Sequence, residues 1–285
     1  VGVEVFIFNP VHEYVNRLHF NYRDHRKIAC IDGDVAYTGG VNIADEYANI
    51  IERFGYWKDS GVCLEGEGAW GLTASFIRMC VNLGGVMHNE HDYYRPHTPV
   101  KSEGFCQPFT DGPQNNPDNP AEDVFLQMIS GARRFLYITT PYFIPDESLM
   151  RALCIAGDGG VDVRLMLPGK PDHWYADCVA ESYFGELIKH GVKVYRYTPG
   201  FLHGKTIMVD RVAAFVGSVN FDYRSFELDY ECGVMVYGAP MIESLLEDMD
   251  MIVDHSRLVT KEEWAKRSVL RRVFEPLLRL FAIWM

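Results

Sequence analysis

The chain contains one pattern twice, and this internal repeat constrains its fold more than any other feature. Both copies fit the formula H-x-K-x4-D-x6-G-[GS]-x-N. The matched positions are His25, Lys27, Asp32, Gly39, Gly40 and Asn42 in the first copy and His203, Lys205, Asp210, Gly217, Ser218 and Asn220 in the second. Chance does not account for six matched positions, so the chain consists of two copies of one structural unit.

The repeat extends beyond this signature. Residues 59–64 (DSGVCL) and 231–236 (ECGVMV) share an acid, a Gly-Val pair and an aliphatic residue. Ahead of the second copy, apolar patterns predict strands at 135–140 and 161–167 and helices at 147–156 and 175–190. No counterpart precedes the first copy, so we expect a first lobe that is truncated at its N-terminus.

Alternating strands and helices predict an α/β fold of two pseudo-symmetric lobes, each a central mixed β-sheet flanked by helices. The segment 96–120 is rich in Pro, Asn, Gly and Asp, which is typical of a linker. We therefore expect a first lobe at 1–95, a linker at 96–120, and a second lobe with a C-terminal helix at 121–285.

Composition narrows the possible functions. The net charge of −12 disfavours nonspecific nucleic-acid binding, which requires clusters of Lys and Arg to neutralise phosphates. The seven Cys include no C-x-x-C pair, so neither a disulfide framework nor a thiolate metal site is indicated. The sequence contains no uninterrupted apolar run of the length that a transmembrane helix needs.

Within each signature, side chains two apart on a strand share a face, so His25 points the same way as Lys27, and His203 the same way as Lys205. A hairpin turn at Asp32-Gly33 then returns the chain, and small residues lead to Asn42. Two imidazoles, two ammonium groups and two amides suit phosphoryl transfer from a diester without a divalent metal. Because each lobe contributes one imidazole, one ammonium group and one amide, the site should lie at the lobe interface.

Carboxylates complete the candidate site. Asp59 and Glu231 open repeated strands and are candidates to orient the histidines, although ordinary surface or hairpin carboxylates fit equally well. Asp32 and Asp210 are in the candidate catalytic set through the signature, but their hairpin positions favour a structural role. Two further groups stay open: Arg224 and Ser225 contact substrate or form a turn, and His88, His91, Asp92 and His97 form a metal site or a polar loop.

At these residues the sequence resembles the phospholipase D superfamily, whose hallmark is H-x-K-x4-D followed by G-[GS]-x-N, and is most similar to bacterial cardiolipin synthases. The similar segments are 21–27, 39–47, 140–146, 200–205, 220–226 and 275–278. The resemblance implies two phospholipase D-like lobes that join two phosphatidylglycerol molecules into cardiolipin and glycerol. It implies a phosphohistidine intermediate, with His25 favoured as the attacking residue, and no cofactor or essential metal.

The resemblance also implies phosphatidylglycerol and other anionic phospholipids as partners, at the bacterial membrane surface, with no nucleic acid. The expected location is the inner membrane, facing the cytoplasm or associated with the membrane. Two alternatives remain: a phosphodiesterase of the same fold that hydrolyses phospholipid or nucleic acid, and a catalytically dead membrane scaffold. Spacing does not separate transfer from hydrolysis, because the two differ only in which hydroxyl reaches the phosphohistidine.

Overall fold

The structure is a computed structural model that describes residues 2–10, 21–87, 93, 100–101, 104–113, 118–268 and 277–280. Its strands are β1 (Arg23–Asp24), β2 (Ile28–Ile31), β3 (Val35–Gly39), β4 (Tyr56–Lys58), β5 (Gly61–Glu65), β6 (Phe105–Asp111), β7 (Phe135–Thr139), β8 (Phe143–Ile144), β9 (Asp162–Pro168), β10 (Lys193–Tyr197), β11 (Gly200–Leu202), β12 (Thr206–Val209), β13 (Ala213–Gly217), β14 (Phe221–Asp222), β15 (Asp229–Tyr237) and β16 (Ser256–Leu258). Its α-helices are α1 (Trp70–Asn82), α2 (Pro120–Gly131), α3 (Glu147–Asp158), α4 (Trp174–Lys189), α5 (Tyr223–Glu227), α6 (Met241–Asp254) and α7 (Lys261–Ala265). Among these described helices, none has the length and apolar character needed to span a bilayer.

A mixed sheet of nine strands forms the centre of the molecule, in the order β1-β15-β13-β12-β7-β9-β10-β16, with β6 also pairing with β15. Strands β7, β9 and β10 are parallel, whereas β12, β13 and β15 are antiparallel neighbours. The predicted α/β fold is confirmed, as are the predicted strands β7 and β9 and helices α3 and α4. Within the segment 96–120 that was expected to be a linker, Phe105–Asp111 forms β6 and pairs with β15 in the central sheet.

The two faces of the central sheet are buried differently. One face packs against α2, α3 and α4, with Phe125, Leu149 and Phe184 fully buried around Phe215 of β13. The other face packs against α6 and against the first lobe, where Leu64 and Leu72 belong to the same apolar cluster as Met249. This second cluster is shared by both lobes, so apolar burial fixes one lobe against the other.

The first lobe contributes an antiparallel meander in the order β2-β3-β5, the counterpart of β12-β13-β15. Its inner face carries Ala36, Val62 and Leu64, which are buried in the shared cluster. Its outer face is open: Tyr37 is 47% exposed, whereas the equivalent Phe215 is 0% exposed beneath the helices of the second lobe. The repeat is therefore preserved in strand pairing but not in the cover of the outer face.

Both signature aspartates form hairpin turns. Asp32 and Gly33 have φ values of 53° and 76°, and Asp210 and Arg211 have φ values of 52° and 60°. Each turn closes with a backbone hydrogen bond, from Asp34 to Ile31 and from Val212 to Val209, and Asp tolerates a positive φ better than most residues. The carboxylate of Asp210 also accepts hydrogen bonds from the backbone N–H groups of residues 133–135 at 2.7–2.8 Å.

We predict that Asp210→Ala lowers the free energy of unfolding by about 1–2 kcal/mol, because three backbone donors lose their acceptor. Denaturant titration followed by circular dichroism measures the change. Asp210→Asn is the matched control, and it should lose less stability because it keeps one acceptor oxygen. An unchanged unfolding midpoint for Asp210→Ala would contradict this structural role.

Candidate active site

Two short parallel strand pairs bring the halves of the repeat together across the lobe interface. β1 pairs with the start of β15, and the backbone N–H of His25 donates to the carbonyl oxygen of Tyr230 at 2.9 Å. β11 pairs with β4, and the backbone N–H of His203 donates to the carbonyl oxygen of Lys58 at 2.7 Å. The strand ahead of each signature histidine therefore lies beside the strand ahead of the other lobe's repeated acid.

This pairing places each imidazole against a carboxylate of the opposite lobe. His25 Nδ1 lies 2.8 Å from Oε1 of Glu231, and His203 Nδ1 lies 2.8 Å from Oδ2 of Asp59. An ionised carboxylate only accepts hydrogen bonds, so Nδ1 carries the proton and Nε2 carries the lone pair in each neutral ring. Asp59 and Glu231 thus occupy the positions expected of residues that orient the histidines.

Glu231 is held by additional donors from its own lobe. Its side chain is fully buried, at 0% exposure. The hydroxyl of Ser218 donates to Oε2, and the hydroxyl of Ser225 donates to Oε1 at 2.8 Å. A buried carboxylate needs hydrogen-bond donors, so the two serines satisfy its oxygens and hold it against His25.

Asp59 is held by a different set. Its Oδ1 accepts the backbone N–H of Ser60 at 2.8 Å. Burial alone would raise the pKa of the Asp59 carboxyl, but the hydrogen bond with His203 and the charge of Lys205 outweigh it and lower that pKa. A Cβ at Gly40 would lie 2.2 Å from Oδ1 of Asp59, so only glycine fits where the second lobe has a serine.

The two signature lysines are desolvated. Lys27 Nζ donates to the carbonyl oxygen of His25 at 2.5 Å, and Lys205 Nζ donates to that of His203 at 2.6 Å. Burial lowers the pKa of Lys205 to about 7, with Asp59 opposing the shift and Lys27 adding to it. Burial also lowers the pKa of Lys27. An anion bound between these ammonium groups would favour their charged forms.

The two histidines lie in unlike surroundings. His203 is 7% exposed and lies against the rings of Trp57 and Tyr47, with centroid separations of 5.1 and 5.3 Å. Burial, and next the charge of Lys205, lower its pKa to about 3 against the pull of Asp59. The side chain of His25 is 26% exposed. Desolvation thus favours the neutral form of the His203 imidazole when no anion is bound.

The signature asparagines flank the same region. Asn42 Nδ2 donates to the hydroxyl of Tyr47 at 2.6 Å. The backbone N–H of Asn220 donates to Ser225 Oγ at 3.1 Å. Its buried Oδ1 has no hydrogen-bond partner among the residues the structure describes, and the amide nitrogen and oxygen can exchange places by a flip. Both amides are thus candidates to bind a phosphoryl oxygen.

Sequence reasoning missed two buried acids near His25 and Glu231. Burial raises the pKa of Asp222 to about 6 and that of Asp229 to about 7. Asp229 forms an ion pair with Arg224 at 3.2 Å, and within the described ranges its Oδ1 has no partner. His25, Asp229 and Glu231 also offer three potential metal-ligand atoms within 4.8 Å of one another. Asp229 lies two residues before the repeated acid Glu231, which is the position that Trp57 holds before Asp59. The repeat could therefore have drawn attention to Asp229.

For Asp32 and Asp210 we propose the structural role that their hairpin positions favoured over the candidate catalytic one. Both lie in hairpin turns, and the Asp210 carboxylate faces backbone amides at the start of β7. Of the two residues that the sequence left open, Ser225 bonds Glu231 and Arg224 pairs with Asp229. The alternative metal site at His88, His91, Asp92 and His97 lies outside the described residues.

The chain is similar in sequence to known proteins. Residues 125–253 match the family described as cardiolipin synthase, PLD-like domain. A cardiolipin synthase of Halalkalibacterium halodurans is 38% identical over 283 residues, which cover 99% of this chain and 56% of that relative. A cardiolipin synthase of Listeria welshimeri is 37% identical over 265 residues, which cover 92% of this chain and 54% of that relative. The chain spans about half the length of the curated relatives it matches.

A solved structure supports the fold. The phosphatidylserine synthase of Haemophilus influenzae aligns with a TM-score of 0.63 at 17% identity, covering 91% of this chain and 68% of that one. At this identity the likeness concerns the fold alone. Residues 125–253 thus match the PLD-like domain of the cardiolipin synthase family, and nearly the whole chain is similar in sequence to curated cardiolipin synthases.

Proposed function

We propose that this chain provides the phosphatidyl-transfer site of a cardiolipin synthase, which joins two phosphatidylglycerol molecules and releases glycerol. The observation that carries the proposal is the pair of histidines, each bonded through Nδ1 to a carboxylate of the opposite lobe. Homology to curated cardiolipin synthases supports the choice of substrate. The proposed location is the inner membrane surface, where anionic phospholipids are the partners.

In the first step, Nε2 of one histidine attacks the phosphorus of phosphatidylglycerol. The bond between phosphorus and the glycerol oxygen breaks, and the second histidine, in its protonated form, gives its Nε2 proton to that oxygen. Glycerol leaves, and the phosphatidyl group stays on the first histidine. The carboxylate on each Nδ1 stabilises the positive charge that its ring carries during the cycle.

In the second step, a hydroxyl of another phosphatidylglycerol attacks the phosphohistidine. Its proton passes to the second histidine, now neutral, and the bond between phosphorus and nitrogen breaks. The products are cardiolipin and the original pair of histidines, ready for another cycle. If water attacks instead, the product is phosphatidic acid, so the same residues also support the hydrolytic alternative.

Fixed hydrogen-bond donors stabilise the negative charge that develops on the phosphoryl oxygens. Lys27 and Lys205 are candidates for this role because both ammonium groups are buried and gain from an anion beside them. Asn42 and Asn220 can add amide N–H donors. These groups supply the stabilisation that a divalent metal gives in other phosphoryl-transfer sites.

Two alternatives are less well supported. A nuclease needs basic clusters along its substrate, and the net charge of −12 does not favour them. A catalytically dead scaffold has no reason to keep both buried His–carboxylate pairs with their lysines. Transfer and hydrolysis differ in the lipid product, which is cardiolipin for transfer and phosphatidic acid for hydrolysis.

We predict that the full-length protein, supplied with phosphatidylglycerol vesicles, forms cardiolipin and glycerol. His25→Ala and His203→Ala should each lower the rate at least about a thousandfold, because each removes the nucleophile or the proton donor. Mass spectrometry of the lipids measures both results. Phosphatidic acid as the main product would establish hydrolysis, and a variant with a near-normal rate would remove that histidine from the mechanism.

A second prediction concerns the orienting acids. Asp59→Asn and Glu231→Gln should each lower kcat by about a hundred- to ten-thousand-fold, because the amide permits the wrong tautomer of the bonded histidine. Asp248→Asn is the matched control, since Asp248 pairs with Lys58 at 2.6 Å outside the candidate site. Equal rates for the control and the two variants would show that these carboxylates do not orient the rings.

A third prediction concerns metals. Treatment with a chelator should leave the transfer rate unchanged, because lysine and asparagine side chains bind the phosphoryl oxygens in place of a metal ion. The measurement is the rate of cardiolipin formation before and after chelation. Loss of activity that returns with a divalent ion would contradict the prediction and direct attention to His25, Asp229 and Glu231, whose ligand atoms lie within 4.8 Å of one another.

A further inference from the structure

A tyrosine that is not part of the repeated signature lies beside the proposed phosphate site. β8 pairs in parallel with β14, with Phe143 opposite Phe221. The residue ahead of each strand is therefore brought alongside the other, which places Tyr142 next to Asn220. A further bond joins the two segments, since the backbone N–H of Phe221 donates to Thr140 Oγ1 at 3.0 Å.

Tyr142 is joined to an aspartate. Its hydroxyl donates to Oδ2 of Asp172 at 2.5 Å, and Oδ1 of Asp172 accepts the backbone N–H of His173 at 2.8 Å. The Asp172 side chain is 16% exposed. Each carboxylate oxygen can accept about two hydrogen bonds. Asp172 is thus held in a fixed orientation with acceptor capacity left for a ligand.

The electrostatic field of Asp172 extends to residues of the site. Burial, and next the charge of Asp172, raise the pKa of the Tyr142 hydroxyl, and Asp222 and Tyr47 contribute to the same shift. Burial raises the pKa of Tyr47 too, with Asp59 and Asp172 adding to it. Tyr47 lies against His203 and bonds Asn42, so the charge of Asp172 acts on a residue of the site.

Tyr142 and Asp172 differ from the signature lysines in the ligand groups that they can bind. Ammonium and amide groups bind phosphoryl oxygens, whereas a carboxylate repels a phosphate and accepts hydrogen bonds from hydroxyls. The tyrosine hydroxyl can accept a bond while it donates to Asp172. A neutral group with two adjacent hydroxyls fits these acceptors, and a second anion does not.

We propose that Tyr142 and Asp172 recognise the hydroxyls of a glycerol group, as leaving group in the first transfer step and as acceptor in the second. This inference rests on the proposed function and specifies how the site selects its acceptor. Water and simple alcohols reach the phosphohistidine without a second hydroxyl for Asp172. The pair therefore favours a glycerol acceptor over competitors that lack an adjacent hydroxyl.

A competition experiment in the full-length protein tests this proposal. Phosphatidylglycerol vesicles are supplied with equal concentrations of deuterated glycerol and 1-propanol, which yield deuterated phosphatidylglycerol and phosphatidylpropanol. The unmodified protein should prefer glycerol. Asp172→Asn should lower the ratio of the two products by about tenfold and Tyr142→Phe by about threefold, as expected for the loss of a hydrogen bond to a charged or a neutral group.

Matched controls remove the same groups elsewhere. Tyr175→Phe removes a hydroxyl from the same segment, and Asp158→Asn removes the charge of an acid that pairs with His190 at 2.8 Å. Both should keep the product ratio of the unmodified protein. Thermal unfolding of every variant shows whether a change in rate reflects a loss of folded protein, and the product ratio is independent of that loss.

The outcomes separate this inference from the proposed function. If the unmodified protein forms both products and the ratio stays the same in Asp172→Asn and Tyr142→Phe, glycerol recognition by the pair is overturned while transfer stands. A parallel fall in both products with lower thermal stability likewise assigns the pair a structural role alone. If the unmodified protein transfers phosphatidyl groups to neither alcohol and forms no cardiolipin, the proposed function fails together with this inference.

Discussion

The hydrogen bond between each signature histidine and a carboxylate of the opposite lobe is the interaction on which the candidate site depends. His25 reaches Glu231 and His203 reaches Asp59, each at 2.8 Å. Neither lobe can complete a pair alone, so the site exists only when the lobes pack together. The apolar cluster shared by the first lobe, the central sheet and α6 provides that packing. Duplication of the unit therefore follows from the chemistry, because the proposed reaction needs two imidazoles with different tasks.

Burial gives the site its electrostatic character. Lys205 is 1% exposed, and desolvation lowers its pKa to about 7 in spite of the nearby Asp59. Asp222 and Asp229 are driven in the opposite direction, since burial raises the pKa of a carboxyl group. The lysines gain from a bound phosphodiester, because its negative charge favours their ammonium forms. The protein thus holds its donors in place before substrate arrives, a feature associated with strong transition-state stabilisation.

Much of this arrangement could be predicted from the sequence. The repeat of His25 and Lys27 at His203 and Lys205 indicated a divided site, and strand and helix patterns predicted β7, β9, α3 and α4. The crossed pairing was not predictable, because spacing along the chain does not say which carboxylate meets which imidazole across an interface. Asp32 and Asp210 lie in the hairpin turns that the signature predicted. Strand β6 was not predicted within the segment 96–120, because composition does not reveal that Phe105–Asp111 pairs its backbone with β15.

A crystal structure of the full-length protein with orthovanadate, which resembles a phosphoryl group in transfer, tests the divided site most directly. Vanadium should lie between Nε2 of His25 and Nε2 of His203, with its equatorial oxygens facing Lys27, Lys205 and the two signature asparagines. Each histidine should keep its Nδ1 contact with the carboxylate of the other lobe. Vanadate bound within one lobe alone, or away from either imidazole, would contradict a single site shared by both halves of the repeat.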